Sequence, residues 1–165
     1  MSALRRITPA DLPQLRQFWR QQWAGEEMLV HGEVFRPEQL EGFVNADWTG
    51  VVTYLIGPDG CEIISLDSLK EGGGTGSGLV EAVVDEATQR GCGRVFLSTT
   101  NDNLRALGFY QRRGFELVSV RRGAVTESRM RKPGIPLIGD NEIPVRDELE
   151  LELRLPARIS VRHGR

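Results

Sequence analysis

The run LKEGGGTGSGLV, residues 69–80, decides how the rest of the chain reads. It holds five of the chain's 19 glycines. Directly after it, Leu79, Val80, Val83, Val84 and Ala87 fall on one side of a helix that Gly91 ends. Directly before it, residues 61–66 (CEIISL) read as a strand. Strand, glycine loop and helix start together make an anion site. The first amides of a helix lack intrahelical partners, the helix dipole adds about half a positive charge, and glycine lets main chain approach an oxyanion with no Cβ in the way. The anion is not given by the loop alone. A nucleotide P-loop needs Lys followed by Ser or Thr at the helix start, where this chain has Gly78 and Leu79. The dinucleotide pattern G-x-G-x-x-G fails at Ser77 and at Leu79. G-x-G-x-x-L-V fits, as Gly74-Thr75-Gly76-Ser77-Gly78-Leu79-Val80.

Working outward, residues 95–100 (VFLSTT) form a β-branched strand and residues 103–113 a helix with Leu104, Leu107 and Tyr110 in step, stopped by Gly114. Residues 115–120 and 148–155 are further strands, the second alternating leucine with charge so that one face is wet. Residues 122–145 hold a helix over 124–132 and then Pro133, Pro136 and Pro144. Upstream, residues 3–7 read as a short strand. Thr8-Pro9-Ala10-Asp11 starts a helix whose Leu12, Leu15, Phe18, Trp19 and Trp23 make a core-facing stripe. Residues 24–35 read as irregular, Pro37 opens a short helix, and strands at 43–44 and 51–56 flank a turn. Gly57-Pro58-Asp59-Gly60 turns the chain into the strand before the loop.

With 165 residues, no repeat and no linker, the chain reads as one domain over 1–165 with a helix and proline-rich insertion near 122–145. A net charge of −2 excludes a protein that coats nucleic acid. No run reaches a membrane span, and the N-terminus has no apolar signal core, so a cytoplasmic location is expected. Two cysteines, Cys61 and Cys92, exclude a disulfide scaffold, and no Cys or His cluster has metal spacing. Charge is uneven: residues 104–132 carry eight basic and two acidic side chains. Arg121, Arg122, Arg129, Arg131 and Lys132 around the insertion suggest an acidic acceptor or partner, against the plainer reading of a solvated face.

Asn103-x-x-Ala106-x-x-x-Tyr110-x-x-x-Gly114-Phe115 follows the glycine loop at one strand's distance. Together the two motifs resemble the GNAT superfamily of acetyl-CoA-dependent N-acetyltransferases, most firmly over residues 41–121. The resemblance implies a mixed α/β fold: a mostly antiparallel, twisted sheet of six or seven strands flanked by helices, splayed between its two central parallel strands. It implies acetyl-CoA as co-substrate with no metal, a small-molecule or protein amine as acceptor, and a homodimer as often found in the family. Backbone amides of Gly72, Gly73, Gly74, Thr75, Gly76, Ser77, Gly78 and Leu79 would grip the pyrophosphate. Leu66, Asp67 and Ser68 would line the pantetheine arm, with Asn103 on its other side. Glu71 departs from the family pattern, which has Gln or Arg there. A carboxylate 4 Å from a phosphate oxygen is repelled by about 1 kcal/mol in water.

By the same resemblance Tyr110 is the general acid for the leaving thiolate, and a phenol of pKa about 10 is protonated at neutral pH. Glu62 is the candidate base, four residues before Leu66, whose N–H would face the acetyl oxygen. Strand alternation predicts that Glu62, Ile64 and Leu66 share one face. A water chain is the alternative base. Arg112 and Arg113 lie near a CoA phosphate or are simply solvated, and His31 lies where the family shapes its acceptor pocket or is incidental. Neither cysteine reads as a nucleophile. Two rival readings use the same residues: a non-catalytic CoA-binding or regulatory protein, and a nucleotide-phosphate binder.

Overall fold

A computed structural model describes residues 3–157. The arginines at 158, 162 and 165 lie outside them. Seven strands form one sheet: β1 (Leu4–Arg6), β4 (Glu41–Asn45), β5 (Gly50–Gly57), β6 (Gly60–Ser68), β7 (Arg94–Thr100), β9 (Glu148–Arg154) and β8 (Glu116–Arg121), in that spatial order. Neighbours are antiparallel except β6 and β7, which run parallel and are joined by α2 (Thr75–Gln89), as a parallel pair requires a long crossover. The expected mixed sheet is therefore present.

The expected splay is also present. Parallel pairing runs only from Cys61↔Val95 to Ile63↔Leu97, while β6 continues to Ser68 and β7 to Thr100. Beyond Ile63 the two strands separate and leave main chain uncovered by a neighbour on that side.

Two cores hold the sheet. On one face Leu79, Val80, Val83 and Ala87 of α2 and Tyr110 of α3 (Leu104–Arg112) pack on Val52, Tyr54, Cys61 and Val95. On the other, Leu15, Phe18 and Trp19 of α1 (Leu12–Trp23) pack on Val44, Val51 and Ile64. The stripe on α1 is thus core, except Trp23, which stays 43% exposed. At the entry to α1 the Thr8 N–H donates to the Asp11 carboxylate at 2.7 Å, so Asp11 rather than Thr8 supplies the capping oxygen.

Two differences from the sequence reading matter for the site. Residues 24–27 are irregular as expected, but 28–35 are not: β2 (Met28–Val30) and β3 (Glu33–Phe35) form a hairpin whose turn is His31-Gly32. Both turn residues have positive φ, +41° and +80°, the conformation of a tight primed turn, which His adopts more readily than most residues. The hairpin packs Met28 and Phe35 into the α1-side core. Second, β6 carries a bulge. Tyr54 pairs with Ile63 and Thr53 with Ser65, so Ile64 is an extra residue. Glu62 and Ile64 therefore face the α1 side, while Leu66 turns back to the α2 side with Val52. Simple alternation, which put Glu62 and Leu66 on one face, fails because the inserted residue resets the parity.

In the 122–145 segment α4 (Ala124–Arg131) is followed by a return made of turns, a short 3-10 helix (Asp140–Glu142) and an isolated bridge between Ile138 and Pro144. The Arg129 guanidinium donates to the carbonyls of Ile135, Pro136 and Val145, which fixes that return and removes Arg129 from any ligand role.

Candidate active site

The glycine loop folds into a cradle. Gly72 and Gly74 have φ of +76° and +72°, which non-glycine residues adopt only with strain. A Cβ on Gly76 would sit 3.2 Å from the Phe109 ring, so glycine lets α2 and α3 approach. Among the described residues no side chain caps the N-terminus of α2. Its first amides are left for an incoming acceptor, and the helix dipole favours an anion there. The Gly78 N–H is different: it bonds the Gly74 carbonyl at 2.9 Å inside the helix. Leu79 is fully buried core.

This cradle closes one end of a cavity of about 490 Å³. Its wall brings together Leu66, Asp67, Ser68, Gly72, Gly74, Thr75, Gly76, Ser77, Asn103 and Tyr110. Gly73, Gly78, Leu79 and Glu62 are not part of that wall. Asn103 caps α3, its side-chain oxygen accepting the Ala106 N–H at 3.1 Å, so its NH₂ donors remain for a ligand. Tyr110 is 6% exposed, between the Phe109 and Phe115 rings. Burial, and then the nearby Asp67, push its phenol well above its ordinary pKa, which keeps it a proton donor at neutral pH. Burial also raises Asp67 to about 6, against the hydrogen bond it accepts from Trp23 Nε1 at 3.1 Å.

Three cations on this wall stood out less clearly in the sequence. Arg113 donates to Ser77 Oγ through Nε at 3.1 Å and lies 3.5 Å above the Phe109 ring, fastening α3 to the first turn of α2. Lys70 pairs with Asp47 at 2.7 Å. Arg105 pairs with Glu71 at 2.8 Å, both 77% exposed, so the carboxylate that departs from the motif already has a cationic partner. Arg112 does not line the cavity.

Glu62 lies on the opposite face of β6. It is buried, and both its oxygens lie 2.9–3.0 Å from His31 Nε2. That hydrogen bond raises the His31 pKa, partly offset by burial. The His31 N–H donates to Glu148 Oε2 at 3.1 Å, and Glu148 pairs with Arg121 at 2.8 Å. The hairpin turn thus brings His31 to Glu62, a contact with no local sequence signal because 31 residues separate the partners. Cys61 faces the α2-side core, where burial pushes its thiol up to about 12, so it is no nucleophile. Among the described residues no cluster of His, Cys, Asp and Glu could hold a metal ion, and no helix is long and apolar enough to cross a membrane.

Residues 5–115 match the family model described as Acetyltransferase (GNAT) family. The Bacillus subtilis (strain 168) uncharacterized protein YxbD is 40% identical over 147 residues, 87% of this chain and 91% of that protein. A Bacillus subtilis acetyltransferase solved in complex with CoA superposes with a TM-score of 0.69 at 19% identity, over 94% of this chain and all of that one. A GNAT family acetyltransferase from Elizabethkingia anophelis with acetyl-CoA bound gives 0.65 at 18% identity, over 93% of this chain and 97% of that one.

Proposed function

Since the chain belongs to the acetyltransferase (GNAT) family, an acyltransferase family, we propose that it moves an acetyl group from acetyl-CoA to a primary amine by direct attack in a ternary complex. The observation that carries this reading is that the α2 cradle and the Tyr110 phenol share one cavity, opened by the separation of β6 from β7. The thioester supplies the activated acyl carbon. The chain's residues do the rest. Amides at the start of α2 hold the pyrophosphate, and Leu66 and Ser68 line the arm. On attack, the amine nitrogen bonds the acyl carbon and the carbon–sulfur bond breaks. Glu62 takes the proton of the ammonium, whose pKa in a lysine-like amine is about 10.4. The Leu66 N–H, on the strand edge released by the splay, is the donor to the developing oxyanion. Tyr110 protonates the departing sulfur, and the second proton shed by the nitrogen as the amide forms restores the phenol.

The test is Tyr110→Phe, read by thiol release against a panel of amines. The expected result is a fall in kcat of roughly tenfold or more with CoA affinity little changed. Unchanged kcat removes the acid role. Calorimetry with ATP against acetyl-CoA tests the ligand itself, and tighter ATP binding overturns the reading.

A further inference from the structure

The face of β6 that carries Glu62 holds two adjoining cavities of opposite charge. One, of about 460 Å³, is lined by Glu62, Glu33, Asp59 and Glu150, with Phe35 and Phe96 as apolar walls. Its Arg94 is already paired with Glu150 and Glu152 at 3.2 and 2.8 Å, and lies against Phe96. The other, of about 290 Å³, is lined by Arg121, Arg122 and Arg131 with Glu127 as its one acid. His31 and Arg121 line both, so the two cavities lie side by side, the acidic one on one side of these side chains and the basic one on the other.

The positive end has features of a prepared anion site. Arg122 and Arg131 are exposed, and Arg131 is tethered by donating to the Gly32 carbonyl at 3.0 Å. Arg121 donates through Nη2 to Ser98 and Glu148 and approaches Glu150 at 3.9 Å, which fixes its guanidinium at the boundary of the two cavities. A carboxylate or phosphate accepts from several guanidinium N–H groups at once, which an ordinary alcohol or amide does not.

Resting on the acyl-transfer reading above, we propose that the acceptor is a small dipolar amine, its ammonium group directed to Glu62 and its carboxylate or phosphate held by Arg121, Arg122 and Arg131. The two neighbouring cavities set the group that takes the proton beside the groups that fix the far end of the acceptor. Orientation then comes from both ends, so a monopolar amine is held less well.

Matched acceptors test this. Glycine, β-alanine and lysine are compared with their carboxamides, and O-phosphoethanolamine with ethanolamine, at saturating acetyl-CoA with thiol release as readout. The expected result is a kcat/KM at least about tenfold higher for the anionic member, in the first set for a carboxylate and in the second for a phosphate. Arg122→Glu lowers the favoured member's kcat/KM about tenfold. Arg16→Glu, whose side chain lines neither cavity, leaves the ratio unchanged. Equal or better use of the anion-free members, a ratio insensitive to Arg122→Glu, or CoA binding with turnover of no pair overturns the dipolar acceptor. Absence of CoA binding by calorimetry instead overturns the acyl-transfer reading on which it rests.

Discussion

The two faces of β6 are built from different material. On the α2 side, the cavity is made largely of main chain: left-handed glycines at 72 and 74, the open first turn of α2, and the strand edge freed beyond Ile63. On the α1 side, Glu62 bonds His31 of the β2–β3 turn, whose backbone N–H meets Glu148 of β9, itself paired with Arg121 of β8. Main-chain donors take no side-chain rotamer, so the first site is pre-organised and binds one chemical group. The second depends on ion pairs whose strength changes with pH and with one substitution. That division suits the roles proposed for the two faces, co-substrate on one and acceptor on the other.

The largest expected effect tests whether the charged face is catalytic at all. Glu62→Gln should lower kcat roughly a hundredfold while the KM for acetyl-CoA stays within about threefold, in steady-state thiol release. A normal kcat would reduce Glu62 to a structural carboxylate and leave a water chain as base.

Next is the main-chain face. Gly74→Val places a β-branched residue at a φ of +72°. Calorimetry should show CoA affinity falling about thirtyfold as the cradle distorts. Unchanged affinity would mean that the loop amides are not the grip.

A smaller effect sharpens the contrast in pH behaviour. His31 has a raised pKa in the folded state through its hydrogen bond to Glu62. Folding therefore takes up a proton there. The stabilisation is complete below about pH 6.5, the unfolded value, and is lost as pH rises through the folded value. Urea unfolding should show His31→Gln less stable than the parent by roughly 1 kcal/mol at pH 6, with the gap closing above neutrality. A gap independent of pH would show that the imidazole is not charged in the pair.

The smallest effect is at the rim of the cradle. Glu71→Gln should change CoA affinity by no more than about twofold, and not at all in high salt, because the Glu71–Arg105 pair is exposed and screened.

Legibility in the sequence followed the same division. The strands at 61–66 and 95–100, the helix after the loop and the helix carrying Tyr110 were readable because each is specified by neighbours in sequence: apolar period, cap or glycine stop. The β2–β3 hairpin was missed. Its strands are three residues each, and its turn is His-Gly rather than the usual Asn-Gly. A His-Gly pair between the short runs MLV and EVF was the available signal. Arg113 was read as a neighbour of a phosphate or as simply solvated, and its clasp on Ser77 was not foreseen because it spans 36 residues.

By itself the sequence determined the cradle, since glycine's missing Cβ and an uncapped helix start act within a dozen residues. It also determined which strands and helices flank that cradle. Only the tertiary structure decided on which side of the sheet Glu62 lies, and beside which partners. One inserted residue at Ile64 changes the parity of β6, and nothing in CEIISLDS marks the insertion, because a bulge is chosen by pairing with β5. The meeting of His31, Glu62, Glu148 and Arg121 was likewise decided by packing. Charges far apart in the chain have no local period to announce them, and they are held together only once the sheet and hairpin have folded around them.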